Sequence, residues 1–122
     1  MWQSSLTNKN RTDLERVQKT AIKVILGSNH ATYNEGLNIL KIKSLNDRRE
    51  ALCLTFAKKC LENEKVKGLF PLRKLKNCME IRKMNKFRMI KANTKRYEQS
   101  AIPYMRRILN KDWKEKMKAT QI

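Results

Sequence analysis

The sequence predicts an all-α protein: a small bundle of about three core helices, a basic and partly irregular C-terminal extension, and a short additional helix. The 122 residues include only three glycines and two prolines, fewer turn residues than a strand-rich fold needs. Apolar residues recur at steps of three and four along several stretches, which is the period of an amphipathic helix. Helix-capping residues precede these stretches. We place the helical bundle in residues 1–72 and the basic extension in residues 73–122.

The first predicted helix begins near Thr7 or Asn10 and ends at Gly27. Glycine is the residue expected just after a helix, because it adopts a left-handed backbone without a Cβ clash. We expect one apolar stripe to face the core, and this stripe contains Leu14, Val17, Ala21, Val24 and Ile25.

A short second helix is predicted after Thr32. Thr32 and Glu35 have the spacing of a capping box, in which each side chain satisfies a backbone N–H at the helix start. We expect this helix to continue to about Leu40, with Tyr33, Leu37 and Leu40 facing inward.

The third predicted helix starts after Ser44, with Asp47 at the third position of a similar box, and runs to about Glu62 or Glu64. The expected inward side contains Leu45, Leu52, Phe56 and Cys60, widened by Cys53, Ala57 and Leu61.

The chain after this helix has a weaker pattern. Gly68 and Pro71 interrupt helical periodicity. Residues 79–97 fit a helix or a strand, and the pattern does not decide between them. Ser100 is expected to cap a short helix ending near Asn110. The polar tail "KDWKEKMKATQI" follows, and a fraying helix anchored by Trp113 is the alternative for this tail.

Positive charge is the strongest global feature of the sequence. The chain carries 29 Lys and Arg against 11 Asp and Glu, a net charge of +18, of which residues 1–61 contribute +6 and residues 62–122 contribute +12. Such an excess repels itself unless a polyanion is near, which favours RNA or DNA as the partner. An anionic membrane surface and a basic protein without any polyanion partner are the alternatives. No apolar run has the length of a membrane span.

The sequence contains no recognisable catalytic or metal-binding constellation. Its single histidine, His30, falls in a predicted loop. No zinc-ligand spacing, glycine-rich phosphate loop or carboxylate cluster occurs. We therefore predict no catalytic residues, metal, cofactor or small-molecule substrate, and no enzymatic activity. The odd count of three cysteines and the absence of an apolar leader predict an intracellular, nuclear or cytoplasmic protein.

Basic residues near the predicted helices and in the extension are the candidate phosphate contacts. The set comprises Arg16, Lys19, Lys23, Arg48, Arg49, Lys58, Lys59, Arg82, Lys83, Lys86, Arg88, Lys91, Lys95, Arg96, Arg106 and Arg107. Phe87 and Tyr97 lie among these cations, where an exposed aromatic ring would stack on a base. The alternative is that Phe87 belongs to the core.

Three stretches of the chain resemble a known family. "SSLTNKNRTDLERVQKTAIKVILG", "TYNEGLNILKIKSLNDRREALCLTFAKKCLENEKVKGLFP" and "NTKRYEQSAIPYMRRILN" are similar to the C-terminal end of the polyprotein of non-LTR (LINE-type, jockey-like) retrotransposons. The most specific pieces are "LERVQK", "SLNDRRE…CLTFAKKC" and "SAIPYMRRILN", and the resemblance extends to about Asn110.

The resemblance implies a part of a reverse transcriptase, at or just beyond the thumb that grips the template–primer duplex. The catalytic aspartates of that family lie in a Tyr-x-Asp-Asp turn of the palm, and no such motif occurs here. The resemblance therefore implies a fragment that cannot polymerise alone. The role of the basic residues as nucleic-acid contacts is inferred from their charge.

Two functions follow from these observations. The first is a module that binds the RNA or DNA backbone, as a fragment of an RNA-directed DNA polymerase without its palm. The alternative is a non-catalytic helical module that packs on the remainder of the polymerase or self-associates.

Overall fold

The computed structural model describes residues 3–29, 32–73 and 85–120, and most of the residues in these ranges are helical. A 3-10 turn, Gln3–Ser5, precedes six helices: α1 (Asn8–Leu26), α2 (Tyr33–Leu40), α3 (Leu45–Glu62), α4 (Glu64–Lys67), α5 (Lys95–Glu98) and α6 (Ala101–Thr120). Within the described ranges, extended pairing is limited to one antiparallel bridge between Leu72 and Phe87. The predicted all-α class is confirmed.

The described chain forms two compact units. The first unit is Leu6–Leu52, and the second contains Cys53–Ile122 together with the turn that ends at Ser5. This boundary falls inside α3. The reason is that the segment around Phe87 and the helix α6 complete a core that begins with the second half of α3.

The predicted ends of α1 are confirmed. Thr7 caps the helix, since its side-chain oxygen accepts the backbone N–H of Asn10 at 3.2 Å. At the other end the N–H of Gly27 donates to the carbonyl of Lys23, and Gly27 has a φ of 58°. A side chain at residue 27 would be strained in that conformation.

The predicted caps of α2 and α3 are confirmed as well. The N–H of Glu35 donates to Thr32 Oγ1 at 3.3 Å, and the N–H of Thr32 donates to a carboxylate oxygen of Glu35 at 3.1 Å. The N–H of Asp47 donates to Ser44 Oγ at 3.1 Å. These short-range bonds satisfy amide groups that have no partner inside their helices.

The predicted inward stripe of α1 is wrong. Ile22 is the buried residue of this helix, with 1% of its surface exposed, whereas Val17, Val24 and Ile25 are 69%, 80% and 65% exposed. At about 100° of rotation per residue, Glu15 and Gln18 lie within about 40° of Ile22 around the helix axis. The predicted stripe lies to one side of this buried face. The helix therefore packs through a face that is partly polar.

Hydrogen bonds from that polar face explain the orientation of α1. Glu15 accepts the hydroxyl of Tyr33 on α2 and the backbone N–H of Asn46 in the first turn of α3, each at 2.7 Å. Gln18 Nε2 donates to the carbonyl of Lys43 at 3.2 Å. A carboxylate at a helix N-terminus also interacts favourably with the helix dipole. Glu15 thus joins all three helices of the first unit.

The core of the second unit is built from α3, α6 and the segments between them. Its buried members are Ala57, Phe70, Phe87, Met105 and Leu109. On α3 the buried side passes through Cys53 and Ala57, so Leu52 and Phe56, which were expected to face inward, are 59% and 52% exposed.

Helix α6 extends to Thr120, ten residues beyond the predicted end near Asn110. Asn110 is buried, and its side-chain amide pairs with both backbone groups of Phe87: Oδ1 accepts the N–H at 2.9 Å and Nδ2 donates to the carbonyl at 3.2 Å. The side-chain amide thus makes the two hydrogen bonds to the Phe87 backbone that a neighbouring strand would otherwise make, and it holds this extended segment against α6.

Tyr33 provides a test of the first unit by pH. Burial and the hydrogen bond to Glu15 raise the pKa of Tyr33 to about 12. Because the unfolded phenol ionises near pH 10, the unfolded state loses its proton first, so this contribution to stability is complete below pH ~10 and decreases as the pH rises towards ~12. The absorbance titration curves of the wild-type protein and of Tyr33→Phe should therefore differ by the signal of one phenol, whose midpoint is about two pH units above that of an ordinary tyrosine. A difference spectrum with its midpoint at pH ~10 would contradict this geometry.

Asn110 provides a test of the second unit. Asn110→Ala leaves the buried N–H and carbonyl of Phe87 without these partners, and we expect the free energy of unfolding to fall by about 2–3 kcal/mol. Urea denaturation followed by circular dichroism measures this loss. The neighbouring Lys111→Ala, an exposed position on the same helix, is the control and should change stability by less than about 0.5 kcal/mol. Equal midpoints for the two variants would exclude the proposed role of Asn110.

Candidate nucleic-acid interface

The predicted cations of α1 lie on one exposed face in the first unit. Arg16, Lys19 and Lys23 are exposed and, with Lys9, fall within about 80° of one another around the helix axis. Arg16 is 3.8 Å from Asp13, but both side chains are largely in water, so the pair contributes little. This face remains available to an anion.

The predicted cations of α3 differ in their surroundings. Arg48 and Lys59 are exposed, whereas Arg49 is half-buried, and its Nε and Nη2 have no hydrogen-bond partner among the described residues. Lys58 is bound to Asp112, with Nζ 3.2 Å from a carboxylate oxygen. Of this group, Arg48 and Lys59 are the most accessible to phosphate.

The cations before α6 are exposed where the structure describes them. Lys86, Arg88, Lys91, Lys95 and Arg96 all reach solvent, and Lys86 lies over the ring of Phe87 at 5.8 Å from its centroid. The predicted contacts Arg82 and Lys83 lie outside the described residues.

Arg106 is a correction to the predicted set. Only 8% of its surface is exposed. Its Nε and Nη2 donate to the carbonyl of Leu69, and its Nη1 donates to the carbonyl of Arg88 at 3.0 Å. Burial lowers the pKa of Arg106. The guanidinium holds two irregular segments against α6 and is not available to a phosphate.

Arg107, the next residue, faces the surface. Its Nη1 is 3.2 Å from a carboxylate oxygen of Glu98, its Nη2 donates to the carbonyl of Glu98, and its guanidinium lies 5.7 Å from the ring centroid of Tyr104. These contacts orient Arg107 while leaving its side chain partly exposed. Adjacent arginines on α6 therefore have different roles.

A row of cations that the sequence reasoning missed continues from Arg107. Arg107, Lys111, Lys114 and Lys118 are spaced at four, three and four residues, so they share one face of α6 within about 60°. Together with Asn85, Met89, Asn110 and Glu115 they line a cleft of about 350 Å³, which we call the α6 groove. The spacing of these four cations is visible in the sequence. It indicates a shared face only if the residues after Asn110 are helical, as they are in the structure.

The length of the row suits a phosphodiester backbone. Eleven residues of helix separate Arg107 from Lys118, or about 16 Å. One strand of a duplex places a phosphate about every 3.4 Å along the axis, so the row spans about five phosphates. Four cations and one carboxylate, Glu115, line the groove.

The acidic residue Asp112 lies away from this row on α6. It pairs with Lys58 and Lys116, each at 3.2 Å. Burial opposes ionisation of Asp112, but the hydrogen bonds from the two lysines outweigh it and hold the pKa of the carboxyl below its ordinary value. Asp112 thus remains ionised and neutralises cations on a different side of α6 from the groove.

The aromatic residues divide between core and surface. Phe87 is 5% exposed and belongs to the hydrophobic core, which is the alternative that the sequence left open for this ring, so Phe87 is not available to stack on a base. Tyr97 on α5 is 48% exposed and retains a free ring edge or face for such a contact.

The part of the chain that the structure describes offers neither a metal site nor a membrane span. There, no three His, Cys, Asp or Glu side chains come together in a way that would hold a metal ion, and no helix has the length and apolarity to cross a membrane. Comparison of the chain with protein-family models, curated proteins and solved structures finds no match.

The different roles of the adjacent arginines can be measured. Arg106→Ala removes a guanidinium that serves two backbone carbonyls, and we expect the free energy of unfolding to fall by about 2–3 kcal/mol. Arg107→Ala removes a partly exposed ion pair and should cost less than about 1 kcal/mol. Urea denaturation of both variants, with circular dichroism, provides the comparison. A larger loss for Arg107→Ala would show that the assignment is reversed.

Proposed function

We propose that this chain binds the phosphate backbone of RNA or DNA, as a palm-less fragment of a non-LTR retrotransposon RNA-directed DNA polymerase. The observation that carries the proposal is the α6 groove, where Arg107, Lys111, Lys114 and Lys118 form one row on a helix fixed in the core of its unit. The cations are spread over about 16 Å, a length that suits a polyanion and not a single small anion.

The chemistry of the groove favours contact with phosphate over recognition of bases. Three of its four cations are lysines, which act as flexible point charges and lack the planar fork that an arginine presents to guanine. Binding through lysine and phosphate depends on released counterions and carries little sequence preference. RNA and DNA are therefore both proposed as ligands.

The retrotransposon origin rests on the sequence resemblance, and the fold gives its most specific segment a clear physical role. The stretch "SAIPYMRRILN" enters and forms the first half of α6, and its buried residues include Met105, Arg106, Leu109 and Asn110. This segment anchors the helix whose second half carries most of the cationic row. In this proposal the chain acts in the nucleus or the cytoplasm, with the rest of the polymerase as a further partner.

A salt titration tests the proposal. The purified chain, with a fluorescently labelled single-stranded RNA or duplex DNA, should bind tightly at low salt and progressively more weakly as salt increases. Lys111→Glu combined with Lys114→Glu should make the plot of log affinity against log salt shallower, with a slope about 2 units smaller in magnitude, because each lost phosphate contact removes about 0.9.

The matched control changes the net charge equally at a different place. Lys65→Glu with Lys67→Glu alters two exposed lysines of α4 that do not line the groove. This variant should keep most of the slope of the wild-type chain. Equal losses in both double variants would show that only net charge matters, and absence of binding at low salt would reject the proposal. Primer extension on an RNA template should give no product.

A further inference from the structure

The first unit contains an apolar groove that is independent of the cationic row on α6. Its volume is about 560 Å³. Apolar side chains from three elements line it: Val17, Ala21 and Ile25 of α1, Leu40 and Ile42 at the end of α2 and after it, and Leu45 of α3.

This groove is open to water although most of its lining is apolar. Val17 and Ile25 are 69% and 65% exposed, and Ile42 is 43% exposed. Isolated exposed apolar residues are common, but a contiguous concave patch from three elements is typical of an interaction site. It exists because α1 packs through Glu15, Gln18 and Ile22 and leaves its most apolar stripe uncovered.

The shape of the groove fits an α-helix. Val17, Ala21 and Ile25 are spaced at four residues and form a wall about 12 Å long, or about two helical turns. The opposite wall comes from the end of α2 and the start of α3. Grooves between helices bind an amphipathic helix through residues at the first, fourth or fifth, and eighth positions.

The charge around the groove selects an acidic occupant. Among the described residues, the charged side chains that line it are Lys43 and Arg48, both exposed, and none of the lining residues described there is acidic. A second copy of the chain would bring another net charge of +18 and meet general repulsion. A partner with acidic residues beside its apolar face would instead gain two favourable charge contacts.

We propose that this groove binds an amphipathic α-helix of another protein, with an apolar face seated on Val17, Ala21 and Ile25 and with acidic residues that contact Lys43 and Arg48. The sequence left open whether such a module docks on another protein or self-associates, and the charge of the groove favours docking. This site uses no residue of the α6 groove, so it is tested separately from the binding of nucleic acid in that groove.

A peptide titration with the full chain tests the proposal. The probe is a labelled helical peptide of about 18 residues with leucines on one face and glutamates beside them. We expect saturable binding, detected by fluorescence anisotropy, in the range of about 1–100 μM. A peptide of the same composition, scrambled so that its leucines do not share a face, should bind at least about tenfold more weakly.

Variants of the chain locate the peptide. Ile25→Glu places a carboxylate in the groove at an exposed position and should weaken binding at least about tenfold. Val24→Glu is the matched control, because Val24 is 80% exposed on the same helix but does not line the groove. It should change the affinity by less than about twofold. Circular dichroism of both variants checks that α1 is intact.

A charge reversal tests the acidic character of the partner. Arg48→Glu should weaken binding of the glutamate peptide and strengthen binding of an otherwise identical peptide with lysines in place of glutamates. No binding of the glutamate peptide by the wild-type chain would overturn the proposal, and so would equal affinities of the Ile25→Glu and Val24→Glu variants. A dimer seen by sedimentation equilibrium and abolished by Ile25→Glu would overturn it in favour of a second copy. Displacement of the peptide by an oligonucleotide would assign the groove to nucleic acid and also overturn it.

Discussion

The scarcity of carboxylates is the constraint on which the rest of this structure depends. With 11 acidic residues against 29 basic ones, the chain cannot neutralise its own surface by pairing. Two of its acids are placed where one carboxylate serves two groups: Glu15 joins Tyr33 and the start of α3, and Asp112 binds Lys58 and Lys116. A third, Glu98, orients Arg107. Except for Asp112–Lys116, which lies within α6, these contacts link different helices.

Within the described part of the chain, this use of the acids determines which cations lack a carboxylate partner. Asp112 neutralises lysines away from the groove side of α6, so Lys111, Lys114 and Lys118 keep their charge on the groove side. Elsewhere a neutral group makes the contact that links two segments, as the side-chain amide of Asn110 does by hydrogen bonding to the backbone of Phe87. Arg106 shows the reverse case, in which a cation is buried and satisfied by backbone carbonyls. Position on the helix, and not the type of residue, separates an exposed cation such as Arg107 from a core residue such as Arg106.

The sequence was sufficient for the first three helices and their caps but not for the faces that these helices bury. The caps at Thr7, Thr32 and Ser44 depend on atoms within a few residues, so their patterns could be recognised locally. The inward faces depend on partners from distant parts of the chain. On α1 the expected rule, that the most apolar stripe is buried, failed because Glu15 and Gln18 bind distant backbone and side-chain groups. The second half of α6 was missed because its apolar periodicity fades, although Lys, Glu, Met and Ala all favour helix and no breaker intervenes.

An apolar groove on a highly cationic chain is physically consistent. Exposed apolar surface normally promotes association between copies of a protein, but a net charge of +18 opposes the approach of a second copy over the range of the Debye length, about 8–10 Å. The same field attracts an acidic partner and increases its rate of encounter. Charge would thus keep the groove around Val17 and Ile25 open to a partner of opposite sign, while short-range apolar contact provides the affinity. Raising the ionic strength weakens the repulsion and the attraction together, so discrimination between these occupants should be greatest at low salt.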